Sequence, residues 1–330
     1  MQRKALTVFL LAAGSLLTLL YFTSLFSISE LVYPLRLTAN TLAEEELSEK
    51  QQKLLIRKDI AVLPSQLNLP YRNFDVRVRK NFVINGWYIN HPDQAKAPVV
   101  LLLHDWNESK ISMLDAAEAF SQLGFPVCLI DLPAHGESDG KKFLMDSSLN
   151  AILTVVADSL YCLYETNQIA VMAKGVMGIA AARWLLTDQR MACLLLQDPI
   201  NTMSDLLLRL VKAKWNGMYP LIYPLAELKY KGSTGIHPDS LNLSNCMKRL
   251  KTPLLVTINA QAQEEDVRAA VQIYDSSSAP LKKIWTNNSR SFIRSDDEKN
   301  IYRAMAAFIN SAIPPNSPKV KSRKRIALLK

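Results

Sequence analysis

From residue 99 onward the chain repeats one pattern: short, mostly apolar runs without strict alternation, separated by longer amphipathic stretches. The runs are VVLLL (99–103), PVCLID (126–131), QIAVMA (168–173), CLLLQD (193–198), PLLVTIN (253–259) and LKKIW (281–285). Strands of this kind are buried on both faces, as in parallel sheets. Between them, ISMLDAAEAFSQLG, SSLNAILTVVADSLYCLYE, GIAAARWLLTD, EEDVRAAVQIYDSS and DEKNIYRAMAAFINSAI predict helices. Regular alternation of strand and helix predicts a doubly wound, mostly parallel α/β domain. Upstream, FDVRVRKNFVINGWYIN alternates polar and apolar positions and predicts an antiparallel pair of strands.

Two segments break the rhythm. Residues 201–251 separate two strands by about 50 positions, and TMSDLLLRLVKAKWNGMYPLIYPLAELKY within them is helical, with Trp215, Tyr219, Tyr223 and Tyr230 spaced along it. Such an insertion either packs its aromatics on the sheet's helices or forms a lid over the cleft at the C-terminal ends of the strands. Thr38 to Asp59 predicts a further helix, acidic early (Glu44, Glu45, Glu46) and basic late (Lys53, Arg57, Lys58), in the sense that suits the helix dipole. It reads as a spacer.

What it spaces the domain from is suggested by Ala5 to Ser29, which holds no charged residue over 25 positions. At about 1.5 Å per residue, a helix of this length crosses a hydrocarbon core of about 30 Å. Cleavage as a signal peptide near Ala12-Ala13-Gly14 would leave the apolar LLTLLYF on the mature chain, so an uncleaved anchor is the better reading. Arg3 and Lys4 precede the span whereas Glu30 and Arg36 cancel after it, which predicts a cytoplasmic N-terminus and a large domain on the non-cytoplasmic side. The expected division is a transmembrane anchor (1–30), a juxtamembrane helix and linker (31–73), the α/β domain (74–313) and a tail (314–330).

Composition narrows the function classes. A chain that is 49% hydrophobic and 21% charged with only 10 glycines is globular with a sizeable core. The net charge of +9 would suggest a nucleic-acid partner, but six of those charges (Lys319, Lys321, Arg323, Lys324, Arg325, Lys330) lie in the last 14 residues, leaving +3 for the rest. The tail is either a solvated extension or a contact for anionic lipid; no nucleic-acid module is recognisable. The cysteines at 128, 162, 193 and 246 show no metal-ligand spacing, and Cys128 and Cys193 sit in strand-like runs as small buried hydrophobes. No cofactor or metal motif is recognised.

The candidate chemistry lies at the ends of the predicted strands. LLLHDW, DLPAHGES, VMAKGVMGIAAA and LLLQDPI, in this order and spacing, resemble the α/β-hydrolase superfamily, in particular its membrane-anchored serine hydrolases and serine-aminopeptidase-like domains that begin with a GWYI-type strand pair. The likeness spans about Phe74 to Ile313, and Asp131, His135, Gly136 and Ser138 form its most specific run. The resemblance implies a nucleophile on a strained Gly-x-Ser-x-Gly turn between strand and helix. Aligning Gly178 with the last glycine puts Val176 at the serine and Lys174 at the first glycine; shifting by one puts Gly175 there instead. Neither register supplies a hydroxyl or thiol. A valine would moreover resist the positive φ of such a turn.

The resemblance further implies a histidine after the last strand, but residues 286–297 (TNNSRSFIRSDD) contain none; the four histidines are His91, His104, His135 and His237. Where an oxyanion loop would read His-Gly, this chain has His104-Asp105, and a carboxylate facing the hole would oppose the charge that develops in acyl transfer. The expected function is therefore that of a membrane-anchored, hydrolase-like protein that has lost serine-hydrolase activity and acts by binding a partner protein or an apolar ligand. Two alternatives stay open. One is a non-serine hydrolase of ester, thioester or amide bonds built from His104, His135 and Asp198, at the C-terminal ends of central strands. The other uses Ser138 as an unrecognised nucleophile.

Overall fold

The computed structural model describes residues 31–38, 61–90, 97–163, 168–259, 262–286 and 295–313, with isolated positions 14, 15, 18 and 29. β1 (Tyr71–Asn73) precedes the alternating stretch, which itself forms three strands rather than two: β2 (Val76–Arg79), β3 (Phe82–Ile84) and β4 (Gly86–Ile89). β2 and β3 pair antiparallel as a separate hairpin, while β1 and β4 pair antiparallel at the edge of the main sheet. The sheet thus begins at Tyr71, three residues before the expected boundary.

The apolar runs become β5 (Val99–Leu103), β6 (Val127–Ile130), β7 (Ile169–Lys174), β8 (Cys193–Gln197), β9 (Leu254–Ile258) and β10 (Lys282–Thr286). They build an eight-stranded sheet in the order β1-β4-β6-β5-β7-β8-β9-β10, with β5 to β10 mutually parallel. The period of two along VVLLL divides the core. Val99, Leu101 and Leu103 face one apolar cluster, which includes α2 (Ser147–Leu163) and α3 (Met177–Leu185). Val100 and Leu102 face the other, filled by α1 (Leu114–Gln122) and α8 (Ser295–Ala312). Alternate residues packing on opposite helix layers is what a doubly wound sheet requires.

The insertion is helical, as its periodicity predicts. α4 (Met203–Trp215) starts at a Thr202/Asp205 capping box and packs against α5 (Tyr219–Thr234); a short α6 (Leu243–Met247) returns the chain to β9, beside α7 (Glu264–Ser276). Tyr230 is buried, and Trp215, Tyr219 and Tyr223 pack against the core cluster that contains α3.

Residues 31–38, at the start of the expected juxtamembrane segment, pack on the domain. Leu31 and Val32 are buried in the core, the Val32 carbonyl accepts the Phe143 N–H at 2.9 Å, and the Leu35 N–H donates to Asn107 Oδ1 at 2.8 Å. The predicted helix after Thr38, the basic tail and most of Ala5 to Ser29 lie outside the described residues. Among those residues, no helix is long and apolar enough to cross a membrane.

Candidate functional site

The sheet order reverses at β5, with β6 on one side and β7 on the other, so a crevice opens beyond the carboxyl ends of β5 and β7. Register brings the candidate residues together. Leu103 is level with Ala173, Lys174 with Gln197, and Gln197 with Thr257, so the turns holding Asp105, Gly175, Asp198 and Asn259 meet at one edge.

The turn after β7 distinguishes Gly175 from Val176 by backbone conformation. Gly175 has φ +56°, the left-handed conformation of a nucleophile elbow, whereas Val176 has φ −67° and ψ −18° and begins the helix. Val176 is fully buried, so its side chain packs in the core. A valine needs no strain here because the glycine before it absorbs the turn. Gly178 lets α3 approach the sheet, since a Cβ there would lie 3.0 Å from Leu196 Cδ2.

The Asp105 carboxylate lies where a side chain at residue 175 would stand. Its Oδ1 accepts the N–H of Trp106 at 2.8 Å and of Val176 at 3.0 Å. A serine hydrolase of this fold aims two such donors, one from the residue after the nucleophile and one from the loop after the β5-equivalent strand, at the transition-state oxygen. Here a side-chain carboxylate already occupies them. Burial first, then the neighbouring Glu108 carboxylate, pushes the Asp105 carboxyl up to about 7.

Around this pair, Lys174 binds Glu108 at 2.7 Å. Despite burial, which would raise it, Glu108 is held below its ordinary value by the Lys174 ammonium; Lys174, despite burial, is raised by Glu108. Asp198, at φ +47°, accepts the Asn259 N–H at 2.7 Å, and burial raises its carboxyl. Asp105, Lys174, Gly175 and Asp198 line a pocket of about 300 Å³ with Arg209 and Asp266, themselves paired at 2.5 Å. The pocket is polar and charged. Glu108, Arg209 and Asn259 were not legible as site residues, because strand-end patterns say nothing of what a helical insertion or a following loop turns inward.

The histidines do not join it. His104 accepts the Leu132 N–H on Nε2 at 3.0 Å, which leaves Nδ1 to donate to the Asp105 carbonyl at 2.8 Å. Both nitrogens are consumed by backbone, and burial lowers the imidazole's pKa. His135 is buried between the rings of His104 and Phe143, at 5.0 and 4.9 Å, with Nδ1 on the Pro133 carbonyl. The expected His104, His135 and Asp198 constellation therefore separates: two structural histidines within the domain, one aspartate in the pocket. Among the described residues no group of three or more His, Cys, Asp or Glu side chains could hold a metal ion.

Ser138 is buried too. Its Oγ donates to the Asp131 carbonyl at 2.6 Å and accepts the Asn85 N–H at 2.8 Å, so it pins a loop and faces no cleft. Nearby Lys110, also buried, reaches Asn85 Oδ1 at 2.7 Å and the carboxylates of Asp131 and Glu137 at 2.6 Å each.

Across solved structures the likeness is extensive. An esterase of Pyrococcus furiosus matches with a TM-score of 0.60 at 18% identity, over 85% of this chain and 98% of that one. An α/β hydrolase of Vibrio vulnificus matches with a TM-score of 0.56 at 19% identity, over 88% and 94%. This chain has the α/β-hydrolase fold. Est1E of Butyrivibrio proteoclasticus, solved with ferulic acid bound, matches with a TM-score of 0.53 at 12% identity over 72% of this chain and 98% of its own. No family model matches the chain, and no curated protein matches it in sequence. At these identities the α/β-hydrolase likeness is one of fold, and chemistry must be argued from the site.

Proposed function

We propose that this is a membrane-anchored α/β-hydrolase-like protein that has lost serine-hydrolase chemistry and works by binding. One observation carries the reading: Asp105 Oδ1 takes both backbone donors that would stabilise an oxyanion, beside a Gly175 that has no reacting atom. A substrate carbonyl would have to displace a carboxylate from its two hydrogen bonds, and the developing negative charge would then face that carboxylate at close range. The absence of a histidine after β10 in the sequence removes the base as well. The charged lining supports a small polar ligand or a partner's polar side chain more than an apolar ligand.

The anchor rests on the uncharged Ala5 to Ser29 segment. Catalysis is tested by incubating the full chain with short and long acyl esters, thioesters and amino-acid amides, alongside an Asp105→Ala, Asp198→Ala variant. Rates equal to buffer support a binding protein. Turnover abolished in the double variant would overturn that reading in favour of a carboxylate-based hydrolase.

A further inference from the structure

A second cavity, of about 360 Å³, lies away from the first, between the β2–β3 hairpin, the loop that leads to α2 and the first turns of α2. Its floor is apolar (Phe82, Leu144, Ile152), and its charged lining is entirely basic: Arg79, Lys141 and Lys142, all exposed. The guanidinium of Arg79 stacks over the Phe82 ring at 4.9 Å, at the cavity's edge. No Asp or Glu lines the cavity, and acids of the flanking segments accept hydrogen bonds from neighbouring N–H groups. Asp139 accepts the Val83 N–H at 2.8 Å, Asp75 accepts the Asn85 side-chain amide at 2.6 Å, and Asp146 accepts the Ser148 N–H at 2.9 Å. A hollow with cations at its mouth and hydrocarbon beneath suits an anionic amphiphile.

Its position specifies which one. The Tyr33 N–H donates to the Ser29 carbonyl at 2.7 Å, so the last residue of the uncharged segment is one helical turn, about 6 Å, from Tyr33. Lys142 Nζ sits 5.5 Å from the Tyr33 ring centroid. Arg36 then donates to the carbonyls of Gly136 at 3.1 Å and Ser138 at 2.8 Å, and also bonds that of Gly140, fixing the chain to the loop that carries Lys141 and Lys142. With Leu31 and Val32 buried, no slack separates the segment from this cavity. If Ala5 to Ser29 spans a bilayer, the basic mouth stands at headgroup level.

We infer that this cavity is a binding site for an anionic phospholipid of the membrane that holds the anchor, with Arg79, Lys141 and Lys142 on the phosphate and an acyl chain along Phe82, Leu144 and Ile152. The inference rests on the anchored reading of the N-terminus. It is tested on the full chain in neutral detergent, titrated with dioctanoyl phosphatidylglycerol, dioctanoyl phosphatidylcholine or inorganic phosphate, with binding read by Tm and native mass spectrometry. Saturable binding of the phosphatidylglycerol is expected, weakened about 100-fold in Arg79→Gln, Lys141→Gln, Lys142→Gln and unchanged in a Lys229→Gln, Lys231→Gln control on α5.

Equal weakening in both variants would reduce the effect to general charge attraction and overturn the site. Inorganic phosphate binding as tightly as the lipid would overturn the lipid as occupant. A triple variant with unaltered Tm in the absence of lipid shows that any loss is not misfolding. Alkaline extraction of membranes tests the anchor separately: a chain retained in the membrane that fails to bind phosphatidylglycerol disproves the lipid site and leaves the anchor standing, whereas a chain released by alkali removes the anchor whatever the titration shows.

Discussion

A Cβ on Gly175 would lie 2.0 Å from Asp105 Oδ2. The carboxylate therefore stands in the space that a side chain at the elbow would need, and the two positions exclude each other. Gly175→Ala should destabilise the fold twice over, through the left-handed backbone (about 1 to 2 kcal/mol for a residue with a Cβ) and through the clash. Removing the carboxylate in Asp105→Gly should relieve the second part only. In a double-mutant cycle read by urea unfolding, Gly175→Ala should cost less in the Asp105→Gly background than alone. Additive costs would show that the turn moves away from Asp105 when residue 175 is enlarged.

The same carboxylate should leave a mark on pH dependence. Asp105 is pushed up to about 7, by burial first and Glu108 second, from an ordinary value of 3.8. Between these values the folded chain holds a proton at Asp105 that the unfolded chain has lost. Its contribution to stability is thus fully present below about pH 4, declines as pH rises towards 7, and is gone above that. Asp105→Asn keeps an acceptor for the Trp106 and Val176 N–H groups but cannot titrate. The stability of the native chain relative to Asp105→Asn should fall from pH 4 to pH 7 and then level off; a flat difference across that range would place the Asp105 carboxyl at its ordinary value.

Lys110 tests a different part of the structure. Its ammonium and the Asp131 carboxylate meet at 2.6 Å with side chains only 2% and 1% exposed. Lys110→Met would keep most of the stem's bulk but leave Asp131 buried without its cation. The cost should be about 3 to 5 kcal/mol in chemical denaturation, far more than for the exposed Arg268→Met, whose partner Glu264 is on the surface. Similar small losses in both would mean that the buried pair contributes no more than a surface one.

The sheet and its helices were legible because each is a run of like residues: VVLLL or CLLLQ buries both faces wherever it sits, and the flanking amphipathic stretches have only one place to pack. At the candidate site the sequence shows which side chains stand near the strand ends, with no hydroxyl or thiol at residues 174–176 and no histidine in residues 286–297. The direction in which Asp105 points was not legible. His104-Asp105 could equally have turned outward, and only the positive φ of Gly175 and the approach of the β5 and β7 turns bring Oδ1 onto the Val176 N–H. The glycine register was ambiguous for a related reason, as Gly175 and Gly178 each satisfy one need of a tight strand-to-helix turn. His104 and His135 looked available in sequence because nothing there shows that the backbone of Leu132, Asp105 and Pro133 takes up their nitrogens.

Rebuilding the elbow tests the proposed loss of serine-hydrolase chemistry. Gly175→Ser with Asp105→Gly would place a hydroxyl on the elbow and free the Trp106 and Val176 N–H groups for an oxyanion. It would not supply a base: His104 is bound through both ring nitrogens, His135 is buried beside it, and residues 286–297 contain no histidine. A hydrolase reduced to oxyanion hole and binding retains about 10³ to 10⁴-fold over the uncatalysed rate, so the double variant should hydrolyse an activated ester no faster than that and take up a fluorophosphonate label only slowly. Adding Asn288→His, two residues past β10 in sequence, tests whether a base from that segment raises both rates. Rapid labelling already in Gly175→Ser, Asp105→Gly would mean that another group, with Asp198 the first to examine because it lines the same pocket and burial raises its carboxyl, serves as base.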